Sequence, residues 1–258
     1  MCENKIPIKV TKGNICNEDA EPMFRAGIGY ATAAAQEISG DTAISCGLPD
    51  GSLALILSDG MGQGIRAAAD SRMLVQRLRK NLKGGMTPAA AIKDVNGYML
   101  KQEHGREAES FATLDLLIID RNSGRAKFYK MGAAASFLIR NGNVKELEMA
   151  ALPIGIVARL HFTHISCRLK AGDVIVMVSD GITEADRSDI HGIRLMKRLG
   201  DLFAYDGKRE EMCNDLSARR AARMILDEAM SHCDDGKSDD LTAAVIKIMP
   251  NPKKRPHI

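Results

Sequence analysis

Residues 53–60 read LALILSDG, an apolar run that ends in Ser-Asp-Gly, and residues 174–181 repeat this pattern as VIVMVSDG. An apolar run of this length, bounded by turn residues, predicts a buried strand. The Gly after the Asp lets the chain turn at the end of that strand. Each pattern therefore predicts a strand that leaves an aspartate, Asp59 or Asp180, at the rim of a sheet.

Two more aspartates stand beside predicted strands. Asp41 follows a strand-like stretch that ends near Ile38, and Asp239 precedes the apolar run of residues 243–248. Carboxylates gathered on one rim repel each other unless a cation lies between them, and Mg²⁺ and Mn²⁺ prefer oxygen ligands. The pattern indicates a divalent-metal site, but an Asp-Gly after a strand is also an ordinary turn. The spacing alone does not decide between these interpretations.

The composition excludes several classes of partner. The net charge of +3 is too small to favour nucleic acid or an anionic membrane. Aromatic residues make up only 4% of the chain, which argues against a stacking surface for single strands. The six cysteines form no CxxC motif, and no apolar stretch approaches the roughly 20 residues of a membrane span. We therefore expect a cytoplasmic segment that contacts neither nucleic acid nor membrane.

Strands and helices occupy separate parts of the chain. Strands joined by short turns are predicted over residues 113–120, 126–130, 136–140, 144–147, 162–169 and 174–178. Such strands pair antiparallel, because a parallel pair needs a long crossover. Helices are predicted over residues 65–82, from Thr87-Pro88 onward, and over 189–199 and 215–232. This separation predicts an α+β fold.

The acidic motifs occur in the order of a known family. Residues 39–41, 58–62, 179–184 and 239–242 resemble the motifs of metal-dependent serine/threonine phosphatases of the PPM type. Residues 58–64, 111–116 and 152–155 resemble, more specifically, the C-terminal phosphatase domain of stage II sporulation protein E. The resemblance covers roughly residues 24–249, nearly all of the chain.

This resemblance implies a fold and a site. The implied fold is an α/β/β/α sandwich of two antiparallel sheets flanked by helices. The implied cofactors are two Mn²⁺ or Mg²⁺ ions bridged by Asp59. Asp41 and the Gly60 carbonyl are then ligands of the first ion, and Asp180 and Asp239 are ligands of the second. Asp59 and Asp180 are the expected catalytic residues, and a hydroxide that bridges the ions is expected to attack phosphorus directly.

The resemblance also implies a partner and a location. The expected substrate is a phosphoserine on an anti-sigma factor antagonist, whose dephosphorylation releases a sporulation sigma factor. Residues 1–21 are expected to be a lead-in or linker remnant, 22–249 the phosphatase domain, and 250–258 a basic disordered tail. If the segment belongs to a longer, membrane-anchored protein, we expect it at the cytoplasmic face of the membrane. A homodimer remains an open alternative.

The chain departs from the better-known relatives at several positions. Met61 stands where they carry a His, and Arg25 is not assigned the role of their N-terminal, phosphate-gripping Arg. The proton donor to the leaving serine and the phosphate contact therefore remain unassigned. Asp240, where many relatives carry Asn, is interpreted as an outer hydrogen-bonding group or an extra ligand.

Other interpretations remain open. A catalytically weak binding module has no need of the four aspartates, and a phosphoesterase for small molecules shares the same site chemistry. Gly60, Gly62 and Gly64 do not have the spacing of a dinucleotide loop. The basic residues on the first predicted helix form a solvated face or a docking surface for an acidic protein; they are Arg72, Arg79, Lys80 and Lys83. By resemblance, residues 65–99 are a candidate switch element.

Overall fold

The computed structural model describes residues 8–13, 22–103, 110–186, 188–189, 192–204, 217–233 and 239–253. The strands within these ranges are β1 (Ile8–Gly13), β2 (Phe24–Ala33), β3 (Asp41–Gly47), β4 (Leu53–Asp59), β5 (Leu114–Ile119), β6 (Arg125–Met131), β7 (Ser136–Arg140), β8 (Asn143–Leu147), β9 (Ile165–Arg168), β10 (Val174–Val178) and β11 (Leu241–Pro250). The helices are α1 (Gly64–Lys83), α2 (Pro88–Glu103), α3 (Asp180–Glu184), α4 (Ile193–Leu202) and α5 (Ala218–Met230).

The strands form two sheets. The first has the order β1-β2-β11-β10-β7-β8, and the second has the order β3-β4-β5-β6-β9. The strand pairs in both sheets are antiparallel. In β4 and β10 every apolar residue is buried, because each strand has one face against a helix layer and the other against the opposite sheet. This explains why both read as continuous apolar runs.

Three apolar clusters define the layers. Leu55, Phe128 and Ile246 belong to the cluster between the two sheets. A second cluster packs α4 and α5 against the outer face of the first sheet. A third packs α1 and α2 against the outer face of the second sheet. The predicted α/β/β/α sandwich is confirmed.

Local patterns predicted several elements correctly. The predicted turn Asn141-Gly142 joins β7 to β8. Its φ angles are 50° and 77°, the positive values that a two-residue hairpin turn requires and that Asn-Gly adopts readily. α1 and α2 cover the first two predicted helices, and Ala90 N donates to the Thr87 hydroxyl at 3.3 Å at the start of α2. The α5 helix begins after Ser217, whose hydroxyl accepts from Arg220 N at 3.2 Å. Residues 215–216 of that predicted helix lie outside the described residues.

The expected antiparallel pairing of the predicted strands 162–169 and 174–178, which residues 170–173 join, is wrong. β9 is shorter than predicted and pairs with β6 in the second sheet, whereas β10 pairs with β7 and β11 in the first. The turn at Gly172 therefore crosses between the sheets. Local sequence shows that the chain reverses there, but it does not show which sheet the next strand joins.

Two helix predictions also differ from the structure. α4 begins at Ile193 rather than at Asp189, because the Asp189 carboxylate accepts from Arg194 N and Leu195 N at 3.0 and 2.9 Å and so caps the helix from outside it. The short helix α3, which starts at Asp180, was not predicted.

The division into a lead-in, a phosphatase domain and a basic tail stays a prediction. The first and last strands both reach past the limits predicted for the domain. β1 lies inside the expected lead-in and pairs with β2 along the edge of the first sheet. The strand β11 extends to Pro250, one residue past the expected end of the domain. In the described ranges, no helix has both the length and the apolarity that a bilayer crossing requires.

Candidate metal centre

The predicted site residues lie at one end of the sandwich. β3 begins at Asp41 and β4 ends at Asp59, while Asp180 follows the end of β10 and Asp239 precedes β11. The end of one strand and the start of its antiparallel partner lie at the same end of the sheet. The topology therefore gathers residues from distant parts of the sequence. The expected strand ending near Ile38 is wrong, since β2 ends at Ala33 and Asp41 opens a strand instead.

Asp41 and Asp59 face each other across one ladder. Their Cα atoms are partners in the pairing of β3 with β4. Asp41 is 9% exposed, and neither of its buried carboxylate oxygens makes a hydrogen bond of ordinary geometry among the described residues, although the Thr242 and Ser179 side chains are near enough to lower its pKa. Thr113 fixes the backbone of Asp59: Asp59 N donates to Thr113 Oγ1 at 2.9 Å, and Thr113 N donates to the Asp59 carbonyl at 2.8 Å.

The acidic side chains raise one another's pKa. Burial, with the Asp59 carboxylate beside it, raises the pKa of Asp41 well above its ordinary value. Burial, together with the charges of Asp180 and Asp239, raises the pKa of Asp59 to about 7. Burial and the charge of Asp239 raise the pKa of Asp180. The carboxylates are thus close enough to repel each other, and a cation among them relieves that repulsion.

Gly60 lets α1 approach the acidic cluster. A Cβ at Gly60 would lie 1.9 Å from the carbonyl oxygen of Ala67, so no other residue fits there unless α1 moves. A Cβ built at Gly40 would lie 3.4 Å from the Gly60 carbonyl oxygen and 3.1 Å from Asp240 Oδ2. The Gly60 carbonyl therefore lies beside the segment that carries Asp41, where a ligand of the first ion is expected.

Asp240 holds that segment in place. Its Oδ1 accepts from Ala35 N at 2.8 Å and its Oδ2 accepts from Gly40 N at 2.6 Å. Asp240 is 5% exposed, and backbone N–H groups occupy both of its oxygens. These contacts favour the outer hydrogen-bonding role over that of an extra ligand.

Ser179 joins the strand end before Asp180 to the segment before β11. Its hydroxyl donates to the Asp240 carbonyl at 3.3 Å and accepts from Thr242 N at 2.9 Å. A Cβ at Gly181 would lie 2.3 Å from the same carbonyl oxygen, so the two segments touch. Asp239, adjacent to this contact, is exposed.

The donor set fits a hard divalent cation. The two unpartnered oxygens of Asp41 are buried, which is costly unless a proton or a cation compensates their charge. In the part of the chain that the structure describes, no group of three or more His, Cys, Asp or Glu side chains forms a metal-binding cluster by itself. A complete coordination shell therefore needs other oxygen donors, and the Gly60 carbonyl, which lies beside the Asp41 segment, is a candidate.

A basic residue that the sequence did not single out lies beside Asp41. A cavity of about 460 Å³ is lined by Arg72 together with Asp41, Ser39 and Thr42. Arg72 was predicted only as part of a basic helix face. Arg25 pairs with Met249 near the start of β2, at the strand end opposite to the aspartates, so it does not reach the site. A larger cavity, of about 540 Å³ between α4 and α5, contains none of the predicted ligands.

Comparisons with known proteins agree with this architecture. The sequence profile of the family "Stage II sporulation protein E (SpoIIE)" matches residues 49–249. Stage II sporulation protein E of Bacillus subtilis (strain 168) is 30% identical over 229 residues, which are 88% of this chain and 26% of that protein. Phosphoserine phosphatase RsbU of the same organism is 24% identical over 198 residues, 76% of this chain and 56% of that protein.

A solved structure shares the fold. The PP2C phosphatase domain of SpoIIE from Bacillus subtilis, solved with a fragment of its regulatory domain, superposes with a TM-score of 0.75 and 29% identity over 96% of this chain and 71% of that one. This chain spans about a quarter of the length of the curated Bacillus subtilis relative. The predicted family, that of a PPM-type serine/threonine phosphatase domain, is confirmed: the chain belongs to the stage II sporulation protein E family.

Proposed function

We propose that this chain hydrolyses a phosphoserine ester on a protein with the help of divalent cations. The observation that carries this proposal is the pairing of Asp41 with Asp59, in which Asp41 keeps two buried carboxylate oxygens without a hydrogen-bond partner among the described residues. Such oxygens, beside further carboxylates of raised pKa, favour a cation over any neutral ligand. Membership in the family and similarity to a phosphoserine phosphatase support the same reaction class.

Each predicted residue has a proposed role. Two Mn²⁺ or Mg²⁺ ions would be held as follows: Asp59 would contribute to both, Asp41 and the Gly60 carbonyl would hold the first, and Asp180 and Asp239 would hold the second. The chemistry that bound ions would supply is a hydroxide nucleophile available near neutral pH. Asp240 keeps the segment before Asp41 in position through its two backbone contacts.

Arg72 is the proposed phosphate contact. It lines the cavity that Asp41 also lines, and a guanidinium there can pair with the phosphate of a substrate that enters from this side. This assignment fills the role that Arg25 cannot take from its position in β2.

The proposed substrate is a phosphorylated anti-sigma factor antagonist, so the reaction would control activation of a sporulation sigma factor. The proposed location is the cytoplasm, or the cytoplasmic face of a membrane within a longer protein. A homodimer remains an alternative. The family match and the similarity to a phosphoserine phosphatase, both to proteins longer than this chain, support the proposed substrate class.

Phosphate release tests the proposal. The purified chain is incubated with the phosphorylated antagonist in Mn²⁺, in Mg²⁺ and in excess chelator. We expect turnover only with metal and much slower turnover on small phosphate esters. Full activity in chelator contradicts the metal role, and faster turnover on small esters points to a small-molecule phosphoesterase. Calorimetric titration that detects no bound Mn²⁺ indicates a binding module instead.

A further inference from the structure

A buried ion pair lies between the two sheets behind the acidic cluster. The Lys130 ammonium donates to Asp115 Oδ2, and it also donates to Ser136 Oγ at 2.9 Å. The Ser136 hydroxyl donates to the same Asp115 oxygen. All three residues are at most 1% exposed. A buried charge pair of this kind rarely adds stability over apolar residues of similar size, so its presence here calls for another explanation.

The ladder places Asp115 next to Asp59. Asp115 is the cross-strand partner of Leu57, which precedes Asp59 by two positions in β4. Residues two apart in a strand share a face, so Asp59 and Asp115 lie on the face that Leu57 buries between the sheets. Asp59, Asp115 and Asp180 line one narrow crevice at this end of the sandwich.

One carboxylate oxygen of Asp115 lacks a hydrogen-bond donor among the described residues. Lys130 and Ser136 both bind Oδ2, whereas Oδ1 is buried and has no hydrogen-bond partner among the described residues. Leaving a buried carboxylate oxygen without a donor is costly. A donor is therefore expected in the crevice, and the hydration shell of a divalent cation supplies strongly polarised O–H groups.

We propose that Asp115 is a positioning residue for a hydrated divalent cation held by Asp59 and Asp180. Its Oδ1 accepts a hydrogen bond from a water of the cation's shell, and Lys130 and Ser136 fix the carboxylate in the orientation that this contact needs. The inference rests on the proposed function, because it assumes that Asp59 and Asp180 hold a cation. It adds the second residue of β5 to the rim residues already named.

Two double variants test whether a hydrogen-bond acceptor at position 115 is needed. Asp115→Leu with Lys130→Met removes the ion pair and leaves no acceptor, while Asp115→Asn with Lys130→Met removes the same charges but keeps an amide oxygen. Both replace a buried ion pair without leaving an isolated charge, so both are expected to fold. The matched control is Arg140→Met with Asp173→Leu, which removes the ion pair of the buried Asp173 at the opposite end of β10.

Calorimetric titration with Mn²⁺ gives the primary result. We expect the leucine variant to bind Mn²⁺ about 10-fold more weakly than the unchanged chain, and the asparagine variant to recover part of that loss. The control should bind as the unchanged chain does. Electron–nuclear double resonance of bound Mn²⁺ should show a changed water-proton coupling in the leucine variant alone.

The outcomes separate the two proposals. Unchanged Mn²⁺ affinity and unchanged water-proton coupling in a folded leucine variant overturn the role of Asp115 and leave the proposed function standing. Equal weakening in the control also overturns it, because the effect is then one of general stability. If the unchanged chain binds no Mn²⁺ at all, both proposals fail together.

Discussion

Asp41 and Asp59 are direct cross-strand partners at the end of the β3–β4 ladder. Like charges placed opposite each other in an antiparallel pair destabilise it, so this arrangement works against the sheet that contains it. The nearby carboxylates of Asp180 and Asp239 increase the electrostatic repulsion at Asp59. This repulsion is the physical reason for the proposal that a cation binds among these carboxylates.

The first prediction concerns the bridging position. Asp59→Asn should reduce phosphate release at least 100-fold and weaken Mn²⁺ binding, because the amide keeps the shape but removes the charge shared by both ions. Phosphate release and calorimetry on the purified variant measure the two effects. Asp201→Asn, an exposed change in α4, is the control. Wild-type turnover by Asp59→Asn contradicts the assignment.

The second prediction concerns pH in the absence of metal. Burial and neighbouring carboxylates raise the pKa of Asp59 from 3.8 to about 7, so the folded protein binds this proton more tightly than the unfolded chain does. Its contribution to stability is complete below pH 3.8 and is lost as the pH rises through about 7.

Thermal unfolding in chelator measures this loss. At pH 8, Asp59→Asn should be more stable than the unchanged chain by on the order of 1–3 kcal/mol, since the repulsion is gone. Added Mn²⁺ should reverse the order by stabilising only the unchanged chain. Equal stability of the two proteins across the pH range argues against a repulsive cluster.

The third prediction concerns the contact of Gly60 with α1. Gly60→Ala should destabilise the fold by roughly 2–4 kcal/mol and weaken metal binding, because the new Cβ would overlap the Ala67 carbonyl and push α1 away from the loop. Gly97→Ala in α2 is the matched control. Apart from the neighbouring backbone of α2, no atom lies within 4 Å of its added Cβ, so it should stabilise the protein by about 0.5–1 kcal/mol. Denaturant unfolding and calorimetry compare the two variants.

The fourth prediction concerns Asp240. Asp240→Ala leaves the N–H groups of Ala35 and Gly40 without their acceptor, so residues 35–40 should lose protection from hydrogen exchange. Mn²⁺ affinity should fall about 10-fold, because Asp41 directly follows this segment. Unchanged exchange of residues 35–40 would show that other contacts hold the segment.

The fifth prediction concerns substrate binding. Arg72→Ala should raise KM for the phosphoprotein about 10-fold with a smaller effect on kcat, since the lost contact acts mainly on the bound phosphate. Arg79→Ala is the control and should leave KM unchanged. Arg79 is also exposed and lies seven positions further along α1. Equal KM effects of the two substitutions indicate a general electrostatic surface rather than a phosphate contact.

The sequence by itself determined β4 and β10, two of the strands that carry the site. The runs before Asp59 and Asp180 are apolar throughout because both faces of β4 and β10 are buried, and this requirement is visible in consecutive residues. The Asn141-Gly142 hairpin likewise follows from the backbone angles that two adjacent residues can adopt. Local sterics and local burial are enough for these features.

Only the tertiary structure decided which distant segments meet. Asp240 contacts residues 35 and 40 from 205 and 200 positions away, and β10 joins a different sheet from the strand before it. Asp115, Lys130 and Ser136 come from three strands, and nothing in the sequence around each marks it as buried and paired. Their roles depend on the register between strands and on the packing of one sheet against the other, which are set by the whole core rather than by neighbours in the chain.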